Sequence, residues 1–208
     1  MNLKKLVTAA VCTMLMAAVA FTAGCGGEKK SDKKVLKVGM ECAYAPYNWS
    51  QTKADGGAVK IAGSNEYAYG YDVMMAKKLA DSMGADLEIH KIEWDGLAPA
   101  VVSGKIDAAI AGMSITSKRK ETVDFTKPYY YATVVALVKK DSEQAKAQSV
   151  ADLKGSVATS QLNTIWYDQI DQVPDVKKLP AIDTVPGMIV ALKTTDTSFI
   201  PLLRQSRK

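Results

Sequence analysis

The sequence predicts an α/β fold with a parallel sheet, on three observations. Short runs of strand character at 35–40, 87–93 and 106–111 are separated by helical stretches at 72–83 and 95–104, and Gly84 and Gly112 punctuate the boundaries. Strand, helix, strand, helix, strand in that order implies parallel pairing with right-handed crossovers. The third observation is size: 208 residues hold one domain or two small lobes, and 48% hydrophobic with 24% charged residues supplies a core. The formal charge of +5 falls to +3 without Lys4 and Lys5, and no basic cluster is interleaved with aromatics, so nucleic acid is not an expected partner.

Residues 106–131, IDAAIAGMSITSKRKETVDFTKPYYY, carry the chemistry. The apolar run Ile106, Ala108, Ala109, Ile110, Ala111 reads as a strand buried on both faces, broken at Gly112 by a hydroxyl-rich turn. Ser114 and Thr116 offer hydroxyls, Thr116 and Ser117 suit an N-cap, and Arg119 places a five-donor fork nearby. Such donors at the end of a strand suit a carboxylate or phosphate. The same residues also fit a capped turn beside a solvated arginine.

The segment GMSITSKRKETVDFTKPYY resembles the hallmark of the bacterial extracellular solute-binding proteins of the amino-acid type, the receptors of polar amino-acid ABC importers. The resemblance runs from Val35 to about Lys193. It implies a type II periplasmic-binding-protein fold, two α/β lobes around a ligand cleft. It also implies that Ser114, Thr116 and Arg119, with Gly112 in the same turn, hold the α-carboxylate of an amino acid.

The elements follow in order. Residues 1–24 read as an export signal, with Lys4 and Lys5 as the positive region and an uncharged apolar run from 6 to 21. That run is too short to favour a spanning helix. Thr22-Ala23-Gly24-Cys25 resembles a lipobox, with Thr22 where leucine is preferred, and implies lipidation of Cys25. Residues 25–34 form a charged flexible tether. Cys12 leaves with the signal and Cys42 has no partner, so no disulfide framework, metal site or cofactor is expected. His90 alternates with Ile89 and Ile92 on a strand and reads as structural.

Lobe one spans 35–133. Its first strand runs into Glu41-Cys42-Ala43-Tyr44-Ala45-Pro46-Tyr47-Asn48-Trp49, a loop at the carboxyl end of a strand, where open α/β sheets place ligands. The resemblance puts the ring of Tyr44 over the ligand, Glu41 against the ligand side chain and Trp94 in the side-chain pocket. Loop and core packing are the plainer readings of Tyr44, Tyr47 and Trp94. Residues 51–69 are a polar, glycine-rich excursion. Asp72 is expected to cap a helix whose apolar stripe is Val73, Ala76, Leu79, Ala80 and Met83, with Met74 where the family has an acid.

Lobe two spans 134–193. Residues 133–139 read as an extended crossing, and 149–155 as a helix opening. Gln161-Leu162-Asn163-Thr164 resembles a Gln-Leu-Gly-Thr turn whose backbone and threonine meet the ligand, which implies Asn163 and Thr164. Asparagine stands where the family has glycine and tolerates positive φ. Residues 183–193 form the next helix, with Pro186 in its first turn.

After 193 the family continues with a Ser-Gly turn, a strand, an acid for the ligand's amino group and a return crossing. Residues 194–208 depart from that pattern. The expectation is a truncated chain with an incomplete second lobe lacking sheet partners, and with no amino-binding role for Asp196.

Together these readings imply a non-enzymatic, monomeric receptor outside the cytoplasmic membrane, lipid-anchored at Cys25. It would bind a polar or cationic amino acid and deliver it to an ABC permease. The alternatives are a dehydratase-like enzyme on the same fold, for which Glu41 is the candidate acid or base, and a ligand-sensing module.

Overall fold

The computed structural model describes residues 33–205; the export signal, Cys25 and the tether up to residue 32 lie outside the described residues. In lobe one the elements are β1 (Val35–Met40), β2 (Ala43–Tyr44), β3 (Asn48–Gln51), β4 (Val59–Lys60), β5 (Tyr67–Tyr69), α1 (Tyr71–Met83), β6 (Asp86–Lys91), α2 (Leu97–Val102), β7 (Ala108–Ala109) and α3 (Ser117–Lys120). Then come β8 (Ala132–Val138), β9 (Val157–Ala158), α4 (Ile165–Gln169), β10 (Lys177–Lys178), α5 (Val185–Thr194) and β11 (Phe199–Gln205).

β1 is the centre of a parallel sheet of order β6-β1-β7, paired from Val35↔Asp86 to Met40↔Lys91 on one side and at Val38↔Ala108 and Gly39↔Ala109 on the other. A strand flanked on both edges and covered on both faces must be apolar throughout its middle, and Val38 and Met40 have no exposed surface. Gly39 lets α2 and the 106–111 segment close on the strand, because a Cβ there would collide with Ile106. β7 is shorter than its sequence suggests, at the sheet edge and half-buried; only the flanking Ile106, Ile110 and Ala111 are buried. The polar excursion at 51–69 is ordered as part of an antiparallel sheet of order β2-β3-β5-β4.

α1 buries Val73, Ala76 and Ala80 and ends on left-handed Gly84, while Leu79 and Met83 continue the apolar stripe into solvent. Asp72 does not cap it. The N-cap is Gly70, and the Asp72 carboxylate points into the protein, where Asn48 and Tyr129 occupy it.

The third sheet has the order β10-β9-β11-β8. Its second strand from the edge corrects the expectation that 194–208 stands apart and leaves lobe two without partners. β11 pairs antiparallel with β8 from Phe199↔Val138 to Gln205↔Ala132 and parallel with β9 at Phe199↔Ala158. The physical reason is local: Phe199-Ile200-Pro201-Leu202-Leu203 is an apolar run of strand length with a long partner in β8. Among the described residues, no helix is long and apolar enough to cross a membrane.

One apolar cluster lies under lobe one around Val38, Met40, Ile89 and Leu97. A second joins the lobes, packing Tyr44 and Tyr47 against Trp166, Val185, Met188, Leu192 and Ile200. Ile200 is fully buried within it. Ile200→Ala is therefore expected to lower the unfolding free energy by about 2–5 kcal/mol in urea titrations; a change below about 0.5 kcal/mol would mean that 199–205 is not part of the core.

Candidate functional site

The loop after β7 begins at Gly112, whose φ of 63° lies in the left-handed region that glycine enters freely. Its N–H donates to the Tyr129 hydroxyl (3.2 Å), which in turn donates to Asp72 Oδ1 (2.8 Å). Asp72 also accepts from Asn48 Nδ2 (2.7 Å), and Asn48 Oδ1 accepts from the Cys42 N–H (2.7 Å). Burial pushes the Asp72 carboxyl above the usual carboxylate range, against the two donated hydrogen bonds. This chain of contacts fixes the loops that begin at Glu41 and at Gly112.

Thr116 caps α3, its Oγ1 accepting from the Arg119 N–H (3.1 Å), so that hydroxyl is engaged inside the loop. The cap orients the half-buried Arg119 side chain. Its Nη1 donates to the Ser114 carbonyl (2.7 Å) and its Nη2 crosses to lobe two, donating to the Asn163 carbonyl (2.9 Å). The guanidinium lies 5.4 Å from the centroid of the Trp94 ring, a cation–π distance. Trp94 Nε1 donates to the same Asn163 carbonyl at 3.4 Å. Burial lowers the Arg119 pKa and the charge of Asp168 opposes that shift.

From lobe two comes the 161–164 turn. Asn163 has φ 54°, the left-handed conformation that asparagine tolerates, and its Nδ2 donates to Asp95 Oδ1 (2.9 Å). Thr164 Oγ1 donates to the Gln161 carbonyl (2.7 Å) and accepts from the Tyr167 N–H (3.2 Å), capping α4. Between the two lobes lies a narrow gap, too tight to admit a water molecule, lined by Trp94, Gly112, Ser114, Arg119, Thr164, Ile165 and Trp166. Of the residues expected from sequence, Trp94, Gly112, Ser114, Arg119 and Thr164 thus converge, with Asn163 at the rim through its carbonyl. A larger hollow of about 310 Å³ adjoins it along 112–115 and 125–132, with a largely apolar lining.

Thr116, Glu41 and Tyr44 do not line the gap. Glu41 is buried at a separate crossing of the lobes, where Oε1 accepts from Gln161 Nε2 (2.8 Å); the same amide donates to the Asp183 carbonyl (2.9 Å). Burial raises the Glu41 carboxyl to about 7, with the Gln161 bond opposing and the charges of Glu93 and Asp95 adding to the rise. The Tyr44 hydroxyl accepts from the Leu203 N–H (3.1 Å), and its ring meets Trp166 edge-on at 5.9 Å. Asp95, Gln161, Ile165 and Trp166 belong to the interlobe region but were not singled out from sequence. Gln161 had a signal, standing first in the 161–164 motif. Trp166, two residues beyond that motif, has only the appearance of core. Among the described residues, no group of three or more His, Cys, Asp or Glu side chains could hold a metal.

The sequence profile of the bacterial extracellular solute-binding proteins, family 3, matches residues 36–198. The chain is 31% identical over 192 residues to the ABC transporter arginine-binding protein 1 of Escherichia coli, covering 92% of this chain and 68% of that protein. It is 33% identical over 140 residues to the arginine-binding extracellular protein ArtP of Bacillus subtilis, covering 67% and 49%. The chain therefore spans between about half and two thirds of these relatives' lengths. Among solved structures, the arginine-bound form of truncated ArgBP from T. maritima superposes with a TM-score of 0.68 at 28% identity, covering 82% of this chain and 74% of that one.

The raised Glu41 carboxyl has a measurable consequence. Its folded value of about 7 exceeds the ordinary 4.5, so the folded state retains a proton that the unfolded chain releases. That contribution to stability is full below pH 4.5 and is lost as pH rises through 7, by about 3 kcal/mol. Glu41→Gln is expected to flatten this part of the stability profile between pH 4.5 and 7.5 in denaturant titrations; an unaltered profile would show that Glu41 ionises as an ordinary surface acid.

Proposed function

Because the chain belongs to the bacterial extracellular solute-binding proteins, family 3, and has their type II periplasmic-binding-protein fold, we propose that it captures a polar or cationic L-amino acid outside the cytoplasmic membrane and delivers it to an ABC permease. The observation that carries this reading is the meeting of Arg119 with Ser114 and the 163–164 turn across the two lobes. A guanidinium fork, a hydroxyl and an opposing turn are the donors an α-carboxylate requires. Glu41, buried where Gln161 crosses from lobe two, suits the cationic or polar end of the ligand. The arginine-binding relatives support that choice. Closure of lobe two onto ligand held by lobe one would be the state a permease recognises. The receptor acts as a monomer, tethered through a lipid on Cys25.

An enzymatic reading finds less support. A dehydratase needs a free acid or base facing its substrate. Glu41, the candidate, is hydrogen-bonded to Gln161, and His90 is paired with Glu88 at 2.7 Å on β6.

Calorimetric titration with arginine, lysine, histidine, glutamine and glutamate tests the proposal. Tight binding of at least one of the first four is expected; tight binding of glutamate with none of them would sink it. Arg119→Ala is expected to weaken binding about 100-fold or more, since it leaves a desolvated carboxylate unpaired. Arg119→Lys should also weaken it, because an ammonium cannot reproduce the fork. A cationic ligand favours the ionised Glu41 carboxylate, so affinity should fall as pH drops below about 7.

A further inference from the structure

We infer that Trp166 is a ligand-contacting residue, its indole N–H donating to a carboxylate oxygen of the bound amino acid; this rests on the amino-acid reading above. Trp166 lies in the first turn of α4, two residues after the Thr164 cap, and lines the interlobe gap with Arg119, Ser114 and Gly112. The side chain is 3% exposed, held by the edge-on Tyr44 ring and by Val185 and Met188.

Its Nε1 is fully buried and meets no acceptor among the described residues. Buried indole N–H groups ordinarily find one. The neighbouring Trp94 does, at the Asn163 carbonyl. Among the described residues no acidic side chain lines the gap, whereas Arg119, Ser114, Thr164, Trp94 and Trp166, all residues that carry side-chain donors, do. A site that supplies donors and lacks anionic acceptors selects a ligand atom that accepts, and the carboxylate common to all amino acids is such a group. Trp166 thereby gives lobe two a donor of its own toward an anion that lobe one holds through Arg119.

Two measurements on the full chain test this, with L-arginine as probe. Trp166→Phe keeps an aromatic ring against Tyr44 and removes the N–H; affinity for L-arginine is expected to fall about tenfold or more, and unchanged affinity overturns the inference. In wild-type protein labelled with nitrogen-15 at tryptophan, the indole resonance that vanishes in Trp166→Phe is expected to move downfield on saturation with L-arginine. An unmoved resonance, or an equal shift with L-argininamide, which carries no carboxylate, overturns the inference and leaves Trp166 as core. Failure of the wild-type chain to bind any of arginine, lysine, histidine and glutamine overturns the inference together with the polar-or-cationic-ligand reading, which the wild-type titration alone reveals.

Discussion

Asp72 has no exposed surface, and a carboxylate so far from water is tolerated because Asn48 and Tyr129 each bring it a donor. Those two side chains do not end the network. Asn48 holds the Cys42 N–H, and Tyr129 accepts from the Gly112 N–H, so the loops leaving β1 and β7 are tied to one point on α1. Cys42 is held at φ 56°, a left-handed conformation costly to a residue with a Cβ, and its N–H bond to Asn48 helps fix it there. The local geometry of Glu41 and of the Gly112–Thr116 turn therefore depends on an acid that does not line the interlobe gap. Removing either donor would leave a buried charge short of a partner, which costs more than one ordinary hydrogen bond contributes.

The lobes meet in two chemically different ways. On the Tyr44 side the contact is apolar: Tyr44, Tyr47 and Trp166 pack with Val185, Met188 and Ile200. Large aromatic side chains buried together contribute several kcal/mol, and no solute can replace them. On the Arg119 side the contact is polar: Arg119 and Trp94 donate to the Asn163 carbonyl, and the Asn163 amide donates to Asp95. Each such bond contributes about 0.5–1.5 kcal/mol net. The polar half is thus the half whose bonds a charged solute group could replace.

What was legible in the sequence follows the same division. β1 and α1 stood out because burial on both faces, or on one stripe, writes itself as a continuous or periodic apolar pattern. The strands within 51–69 left no such mark, since they lie in a short antiparallel sheet among glycines and exposed polar residues. β11 was hidden by its departure from the family pattern, although its apolar run was in plain view; a strand is specified by its partner as much as by itself, and β8 is the partner. Asp72 resembled a cap because acids at helix starts usually are caps, while the residues that bury it are 24 and 57 positions away. In the site, Gly112, Ser114, Arg119, Thr164 and Trp94 converge on one gap, whereas Thr116 is used by its own helix and Glu41 and Tyr44 serve another crossing. Trp166 could not be read, because burial and the lack of an acceptor are facts of three dimensions.

Arg119 joins these strands of argument. A guanidinium carries five N–H donors, and the two hydrogen bonds it makes here go to carbonyls, one in its own loop and one across the cleft. The Ser114 bond sets the direction of the fork, and the Trp94 ring beside it fixes its plane. Only the Asn163 bond depends on where lobe two stands. A carboxylate is a stronger partner for the fork than a neutral carbonyl, because both groups are charged and the pairing can be bidentate. Ligand and lobe two therefore draw on the same side chain from different directions, and the residue that would recognise the solute is also one that registers closure.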